Sequence, residues 1–452
     1  MAKTIKQTKI SKSLSKDWIL LCKGGNKQEK DIYLSKEDRL HHQYFVWQDD
    51  TWKSTMILNQ VIEDINAWNG FCFIDQYWDY VDEILKYFPK EKIDDLIYID
   101  FSNQEYPIWI NILNETKNMD EMDIITNHII DMFLDMYGPE LFGPRIQDYI
   151  RNACVVLMEK NMSSWYGKYT FFDIIKLITA ESSAFVLWDI KDPAAFYWWN
   201  RTLKSMGERE KSEIIPFIQA KLSPLFTWPY VRNILLQPTS SIDFDEAIKE
   251  NKIIICNLAK WIIWNLNAEM LWRILMMEIN MVLSRRAKMK KSGINPYFLY
   301  LDGFQDYIWS SYWTFLLNAT RYKLWVIMFN QYVAQLQKIW REWLLDVSKF
   351  IFNVVGTIWS FRIWTLDAEI LEKVFSPEFT KLDLQKLKNN ALIIKKRESN
   401  SYIKPFMWYI EQHNEKIKNT QKKINLIKEI SYLKWWSKRE IVDKEIYFRV
   451  GV

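Results

Sequence analysis

Glycine is the residue this sequence lacks. Only 11 of 452 positions carry it, where an average composition of about 7% would supply roughly 32. So little glycine leaves few positions free for left-handed helix ends or phosphate-cradling loops. Cysteine is also scarce. Cys22, Cys72, Cys154 and Cys256 lie far apart with no Cys-x-x-Cys pair, which argues against a disulfide framework or zinc site and fits a reducing cytoplasm. His41, His42, His128 and His413 show no metal-ligand spacing, and His41 and His42, just before a strand-like run, read as structural. No run of about 18 apolar residues exists. The best stretch, Leu271 to Leu283, is broken by Arg273, Glu278 and Asn280. The lysine-rich N-terminus has no apolar segment of a secretory leader.

Tryptophan is in excess. There are 24 tryptophans, more than twice the glycines, and the two types together make 35, close to the roughly 32 expected for glycine alone. The remaining composition, 49% hydrophobic and 26% charged, excludes disorder over most of the length and supports a large core in one domain or two. The net charge of +4 is unevenly spread: residues 1–30 hold eight lysines against Asp17 and Glu29, and Arg285, Arg286, Lys288, Lys290 and Lys291 form a second cluster. Alone, these read as a solvated tail and helix end; such clusters also suit nucleic acid or anionic lipid.

The pattern predicts a polar, basic arm over 1–40. Short apolar runs at Tyr44–Val46, Phe71–Asp75 and Leu96–Asp100 alternate with helical stretches at Ser54–Ala67 and Asp82–Tyr87, the order of a parallel α/β sheet. Residues 119–235 carry apolar positions at three- and four-residue spacing and read as a helical insertion. Strands resume at Ile253–Cys256, Tyr297–Leu301, Leu324–Phe329, Ile358–Phe361 and Ala391–Ile394. From about 411 to 452 the chain reads as a charged helical tail, with a last strand conceivable at Ile446–Phe448.

Val46-Trp47-Gln48-Asp49-Asp50-Thr51-Trp52-Lys53-Ser54-Thr55 follows a strand and opens a helix. A phosphate-binding loop reads G-x-x-x-x-G-K-[ST] in that setting. Lys53 and Ser54 match, but Trp47 and Trp52 occupy both glycine positions, where backbone amides must approach phosphate closely. Tryptophan recurs at other turn positions: Trp68 at a helix end, Trp78 between strand and helix, Trp261 after a strand, and Trp309 and Trp313 after another. Trp188 and one of Trp198 and Trp199 read as genuine core residues. We read most of the tryptophans as standing for glycine. Some uncultured bacterial lineages translate UGA as glycine where common tables give tryptophan, and the Lys-, Ile- and Asn-rich composition suits an AT-rich genome.

With that reading, residues 40–410 resemble the TraG/TraD-like coupling ATPases of type IV secretion, grouped with the HerA and FtsK motors. Six ordered segments carry the resemblance. Phe73-Ile74-Asp75-Gln76-Tyr77-Trp78-Asp79 resembles the family's I-D-P-H-G-D, and Pro107-Ile108-Trp109-Ile110-Asn111 its P-x-G-x-N. Gly143-Pro144-Arg145 before Ile150-Arg151-Asn152-Ala153 resembles its helical insertion. Tyr300-Leu301-Asp302-Gly303-Phe304-Gln305 resembles Walker B, L-D-E-F-Q. Asn330-Gln331-Tyr332 resembles H-Q-Y, and Gly356-Thr357-Ile358-Trp359-Ser360-Phe361-Arg362 resembles G-T-x-x-S-F-R.

The resemblance implies an α/β RecA-like P-loop NTPase over 41–410, with a mainly parallel sheet, using ATP and Mg²⁺. Trp47, Thr51, Trp52, Lys53, Ser54 and Thr55 would form the nucleotide loop. Lys53 would contact the β- and γ-phosphates, Thr55 would lie near the α-phosphate, and Ser54 and Asp302 would hold Mg²⁺. Gln331 would sense the γ-phosphate or orient water. Arg321 would be an arginine finger reaching a neighbouring subunit, with Arg362 a weaker alternative. It further implies a homo-oligomeric ring, a hexamer, moving DNA with membrane-bound secretion components. The place would be the cytoplasm, peripheral at the inner face of the membrane. Without the N-terminal membrane helices usual in that family, the chain reads as a soluble relative or part of a split system.

Three departures count against turnover. Gly303 stands where the family has its water-activating glutamate, a loss of about 10²–10⁴-fold. Asp49 and Asp50 place negative charge in a phosphate loop. Tyr77 and Asn330 replace histidines. Asp75 or Asp79 offers a substitute carboxylate. The alternatives are a non-catalytic nucleotide-binding scaffold and an ATPase that secretes protein.

Overall fold

The computed structural model describes residues 18–22, 32–163, 169–179, 190–308, 312–340, 343–398, 401–410 and 420–450. Trp188, Trp309 and nearly all the lysines of the basic arm lie outside them. Fourteen strands are described: β1 Trp18–Cys22, β2 Ile32–Ser35, β3 Gln43–Val46, β4 Phe71–Asp75, β5 Leu96–Asp100, β6 Ile253–Asn257, β7 Tyr297–Asp302, β8 Leu324–Asn330, β9 Gln337–Trp340, β10 Trp343–Asp346, β11 Thr357–Ser360, β12 Ala391–Glu398, β13 Ser401–Tyr402 and β14 Phe406–Tyr409.

The central sheet runs β5-β6-β4-β7-β8-β3-β11 with every pair parallel, then adds β12 antiparallel, flanked by β13 and β14. This is the α/β, mainly parallel architecture the strand order predicts. The inner strands are continuous runs of apolar and aromatic residues because helices cover both faces. Tyr44, Val46, Cys72 and Ile74 point into one core, and Phe45, Phe71, Phe73 and Tyr98 into the other. Among the described residues, helices dominate the interval from Met119 to Leu235, and Phe244–Lys249 follows before β6.

Several expectations change. The polar arm contains an antiparallel β1–β2 pair, and its last residues are anchored in the core. Buried Arg39 donates to Asp64 at 2.5 Å, and Asp38 pairs with Lys396 at 3.1 Å. Ile446–Phe448 lies inside the helix Arg439–Val450, not in a strand. The preceding helix, Thr420–Trp435, covers the sheet edge: the Tyr98 amide of β5 donates to Ser431 Oγ at 2.9 Å, satisfying a donor that an edge strand would leave open. Two of the five residues of the second basic cluster are structural. Arg285 binds Glu121 at 3.1 Å and the Glu115 carbonyl at 2.6 Å, and Arg286 donates to the Tyr322 carbonyl at 3.1 Å. His42 is buried and held neutral, its pKa lowered to about 4 chiefly by burial.

The tryptophans fall into two groups. Trp359 is buried, stacks on Phe45 at 5.2 Å and donates to Gln43 at 3.1 Å. Trp198 and Trp199 are both buried, donating to Asp148 and to the Asn152 carbonyl respectively. Other tryptophans sit where side chains are disfavoured. Of seven non-glycine residues with positive φ among the described residues, three are tryptophans: Trp68 (59°), Trp78 (74°) and Trp264 (69°). Trp68 is the left-handed residue closing the helix Lys53–Asn66. The Asn69 amide reaches back to the Asp64 carbonyl and the Trp68 amide to that of Ile65, the two bonds of a glycine-type helix stop. Trp264, at φ 69° and ψ 152°, has the backbone of the authentic Gly138 at 74° and 161°. That region is essentially restricted to glycine. Its side chain is 78% exposed, so packing returns little for the strain.

Trp264→Gly should therefore raise unfolding free energy by about 1–3 kcal/mol, and Trp68→Gly by ~1 kcal/mol, whereas Trp359→Gly should lower it by at least ~3 kcal/mol. Urea titration of the three variants checks this, and destabilisation at 264 comparable to that at 359 would contradict it. For the basic cluster, Arg285→Ala should cost ~3 kcal/mol, because it strands the buried Glu121 carboxylate; an unchanged urea midpoint would show the pair to be incidental.

Candidate nucleotide site

The carboxyl ends of β3, β4, β6, β7 and β8 surround a cavity of about 380 Å³. Trp47 enters from β3, Tyr77 and Asp79 from β4, Trp261 from β6, Asp302, Gly303, Gln305 and Asp306 from β7, and Asn330 and Gln331 from β8, with Lys53 beside them. Crevices at the carboxyl ends of parallel strands are the usual ligand position in such sheets.

The loop from Trp47 to Trp52 is pinned from outside. Arg362 accepts the Gln48 amide on its carbonyl at 2.7 Å, and its Nε donates to Gln48 Oε1 at 3.2 Å. The Trp52 amide donates to the Asn389 carbonyl at 2.9 Å, and Thr51 Oγ1 closes onto the Gln48 carbonyl at 2.9 Å. Arg362 is thus a brace for this loop. The helix Lys53–Asn66 starts with no acidic residue in its first turn and no side-chain cap, so its positive end and amide donors remain available to an anion. Ser54 and Thr55 sit half-buried in that first turn.

Trp47 is buried, its indole nitrogen has no partner, and the Lys53 ammonium lies 4.3 Å from its ring centre. This cation–π contact occupies the lysine that a phosphate would need. The positive φ of the loop falls on Asp50 (62°), not on Trp47 or Trp52. Neither Trp47 nor Trp52 therefore has a backbone angle that requires glycine. Asp49 and Asp50 are exposed and neither lines the cavity. Asp49 accepts instead from Gln331 Nε2 at 3.4 Å, and solvent screens both charges.

Asp302 is buried at the end of β7 with its pKa raised to about 8. Burial is the main cause and Asp75 the next; Lys53 opposes the shift, and Asp79 and Asp306 add to it. Asp75 is not a spare carboxylate. It accepts the backbone amides of Tyr77, Trp78, Asp79, Tyr80 and Val81, so its lone pairs shape the loop that follows β4. Gly303 has φ 65°, and a Cβ there would lie 1.7 Å from Gln76 Oε1. Gln76 occupies the room a glutamate at 303 would use.

Lys53, Asp302 and Gln331 all line this cavity. Arg321 does not. It ends the helix Tyr312–Arg321, two residues before Lys323, whose carbonyl accepts the first amide of β7. It lies at the opposite end of β7 from Asp302 and cannot serve this chain's own cavity. Sequence reasoning missed Asp306, Lys260 and Gln76 as site residues. Lys260 Nζ pairs with Asp306 at 2.5 Å and Gln76 Nε2 donates to it at 2.6 Å. The available signal was the spacing Asp302-Gly303-Phe304-Gln305-Asp306, a second acid in the same loop.

Neither a protein-family model nor a curated protein sequence matches the chain. Solved structures do. The bacterial conjugative coupling protein TrwBdeltaN70 aligns over 86% of this chain and 88% of its own, with TM-score 0.58 and 10% identity. The plasmid coupling protein TrwB in complex with ADP and Mg²⁺ aligns over 86% and 90%, with TM-score 0.57 and 11% identity. VirB4 of Thermoanaerobacter pseudethanolicus aligns over 91% and 100%, with TM-score 0.59 and 10% identity. This chain has the TrwB–VirB4 fold. The fold is RecA-like and P-loop in type, as the ordered motifs imply. Among the described residues no helix of this TrwB–VirB4 fold is long and apolar enough to cross a membrane.

The pKa of Asp302 has a stability consequence. Its folded value is raised from 3.8 to about 8, so the stabilisation from its neutral form is complete below about pH 4 and is lost as pH rises through about 8. Asp302→Asn, which cannot ionise, should raise the melting temperature progressively more as pH rises from about 4 to about 8 in metal-free buffer, with no further gain above that. A difference independent of pH would contradict this.

Proposed function

We propose that the chain is an ATP-hydrolysing motor subunit of the type IV secretion and conjugation kind, in which nucleotide turnover in a ring drives transfer of DNA. The carrying observation is the meeting of Lys53, Asp302 and Gln331, from three separate strand ends, in one cavity beside the open start of the helix Lys53–Asn66. Phosphoryl transfer requires little more of a protein than such positioning and charge neutralisation.

The donors fit Mg²⁺. Among the described residues no three His, Cys, Asp or Glu side chains form a metal site by themselves, and Mg²⁺ characteristically uses one or two protein oxygens with water and phosphate completing its shell. Asp302, crowded by Asp75 and Asp79, would gain from an added cation, and Ser54 would supply the second oxygen. Ser54 and Asp302 would hold Mg²⁺, which would supply charge neutralisation for the triphosphate; Lys53 and the helix amides would orient the phosphates, and Gln331 would sense the γ-phosphate or orient water.

The reading includes glycine at Trp47, Trp52, Trp68, Trp78, Trp261 and Trp264, through UGA translated as glycine. The backbone of Trp264, shared with Gly138, and the Trp47–Lys53 contact support it. UGG codons at those positions would sink it. Basic residues reaching DNA phosphates would be the lysines of the arm together with Lys290 and Lys291, which are exposed; an arginine finger at Arg321 would act only between subunits.

A second reading, a nucleotide-binding scaffold without turnover, is favoured by Gly303, whose site Gln76 has filled. Titration with a fluorescent ATP analogue and steady-state phosphate release, with and without DNA, distinguish the two. The glycine-bearing chain should bind Mg-ATP, and Lys53→Ala should weaken binding by about tenfold or more. The chain with tryptophan at 47 and 52 should not bind it. DNA-stimulated turnover supports the motor, and binding without turnover the scaffold. Turnover unaffected by DNA, with no salt-dependent DNA binding, would point to protein as the cargo.

A further inference from the structure

The loop after β7 lacks a side chain at 303 but carries a carboxylate three residues later. The left-handed Gly303 starts a tight turn, and the Asp306 amide closes it by donating to the Gly303 carbonyl at 3.1 Å. This turn brings Asp306 to the wall of the cavity that Lys53 and Asp302 line. Gln76 links the two positions. Its Oε1 fills the space beside Gly303, while its Nε2 donates to Asp306 Oδ2 at 2.6 Å. Lys260 Nζ at 2.5 Å and the Tyr77 hydroxyl at 3.4 Å reach the same oxygen. Three elements, the loops after β4, β6 and β7, therefore fix one carboxylate. Its side chain is 33% exposed, whereas Asp302 is buried and Asp75 is consumed by backbone amides.

We propose that Asp306 is the carboxylate that aligns and deprotonates the attacking water when this site hydrolyses a nucleoside triphosphate, in place of the glutamate absent at 303. The inference rests on the nucleotide reading above. The water oxygen forms a bond to the γ-phosphorus and its proton passes to Asp306. The bond from that phosphorus to the bridging oxygen breaks, its electron pair leaving on the nucleoside diphosphate, and the proton departs with inorganic phosphate. In a loose phosphoryl-transfer transition state, water becomes acidic late, so alignment matters more than basicity and a lysine-paired carboxylate suffices. Preorganisation by Gln76, Lys260 and Tyr77 removes the cost of orienting it during the reaction.

The test uses the full chain, with whatever residue its own gene specifies at each tryptophan position. Asp306→Asn should lower kcat by about 10²-fold or more, while ATP affinity stays within about twofold of the parent. Asp306→Glu should recover part of the rate, and Asp79→Asn should leave kcat above that of Asp306→Asn. ATP affinity and melting temperature report that each variant is folded. Parent-like kcat in Asp306→Asn overturns the inference, as does a loss in Asp79→Asn that exceeds it. A parent that binds ATP without turnover overturns this inference alone; a parent that does not bind ATP overturns the nucleotide reading as well.

Discussion

Parallel pairing in register is what the site depends on. Val46 lies opposite Asn330, Asp302 opposite Phe329, and Asp75 opposite Asn257. Because all these strands run the same way, their carboxyl ends form one edge, and each loop leaving that edge starts within reach of the next. The strands themselves contribute almost no chemistry. They are apolar, buried on both faces, and rigid enough that Lys53 from the start of the chain shares one cavity with Asp302, Asp306 and Gln331 from its second half. A one-residue slip in β7 would turn Asp302 to the other side of the sheet.

Unbalanced negative charge follows from that convergence. Asp75, Asp79, Asp302 and Asp306 all influence the same small volume. Three of them are handled in different ways. Backbone amides saturate Asp75, Lys260 pairs with Asp306, and Asp302 stays protonated well above the ordinary carboxylate range. A buried acid of this kind is costly to ionise without a cation, which makes it suited to a site whose ligand arrives with one. The same economy governs the cations. Arg285, Arg286, Arg39 and Arg362 are held by carboxylates or carbonyls, so their charge supports the fold before it can serve a polyanion.

Much of the architecture was legible in the sequence because strands buried on both faces are unbroken apolar runs, and those runs alternate with helical spacing. The P-loop was legible from Lys53 and Ser54 despite its missing glycines. The β1–β2 pair was not, since its residues have no clear alternation, and Ile446–Phe448 resembles a strand locally while belonging to a helix packed on Leu236. By its position after Walker B, Arg321 reads as a finger for a neighbouring subunit, and the helix Tyr312–Arg321 ends at the far side of β7 from Asp302, away from this chain's own cavity. Asp306 was overlooked because the spacing from Asp302 shows only a second acid in the same loop, and the turn at Gly303 that brings it to the cavity wall is visible only in three dimensions.

Composition and spacing alone determined the fold class, the loop that would meet phosphate, and the anomaly of tryptophan at turns, because each of these is a local property of the chain. Tertiary structure decided which polar groups share a cavity, which cations are already spent, and which tryptophans pack and which strain the backbone. Those depend on distances between residues far apart in sequence and on φ angles that a string of letters does not carry.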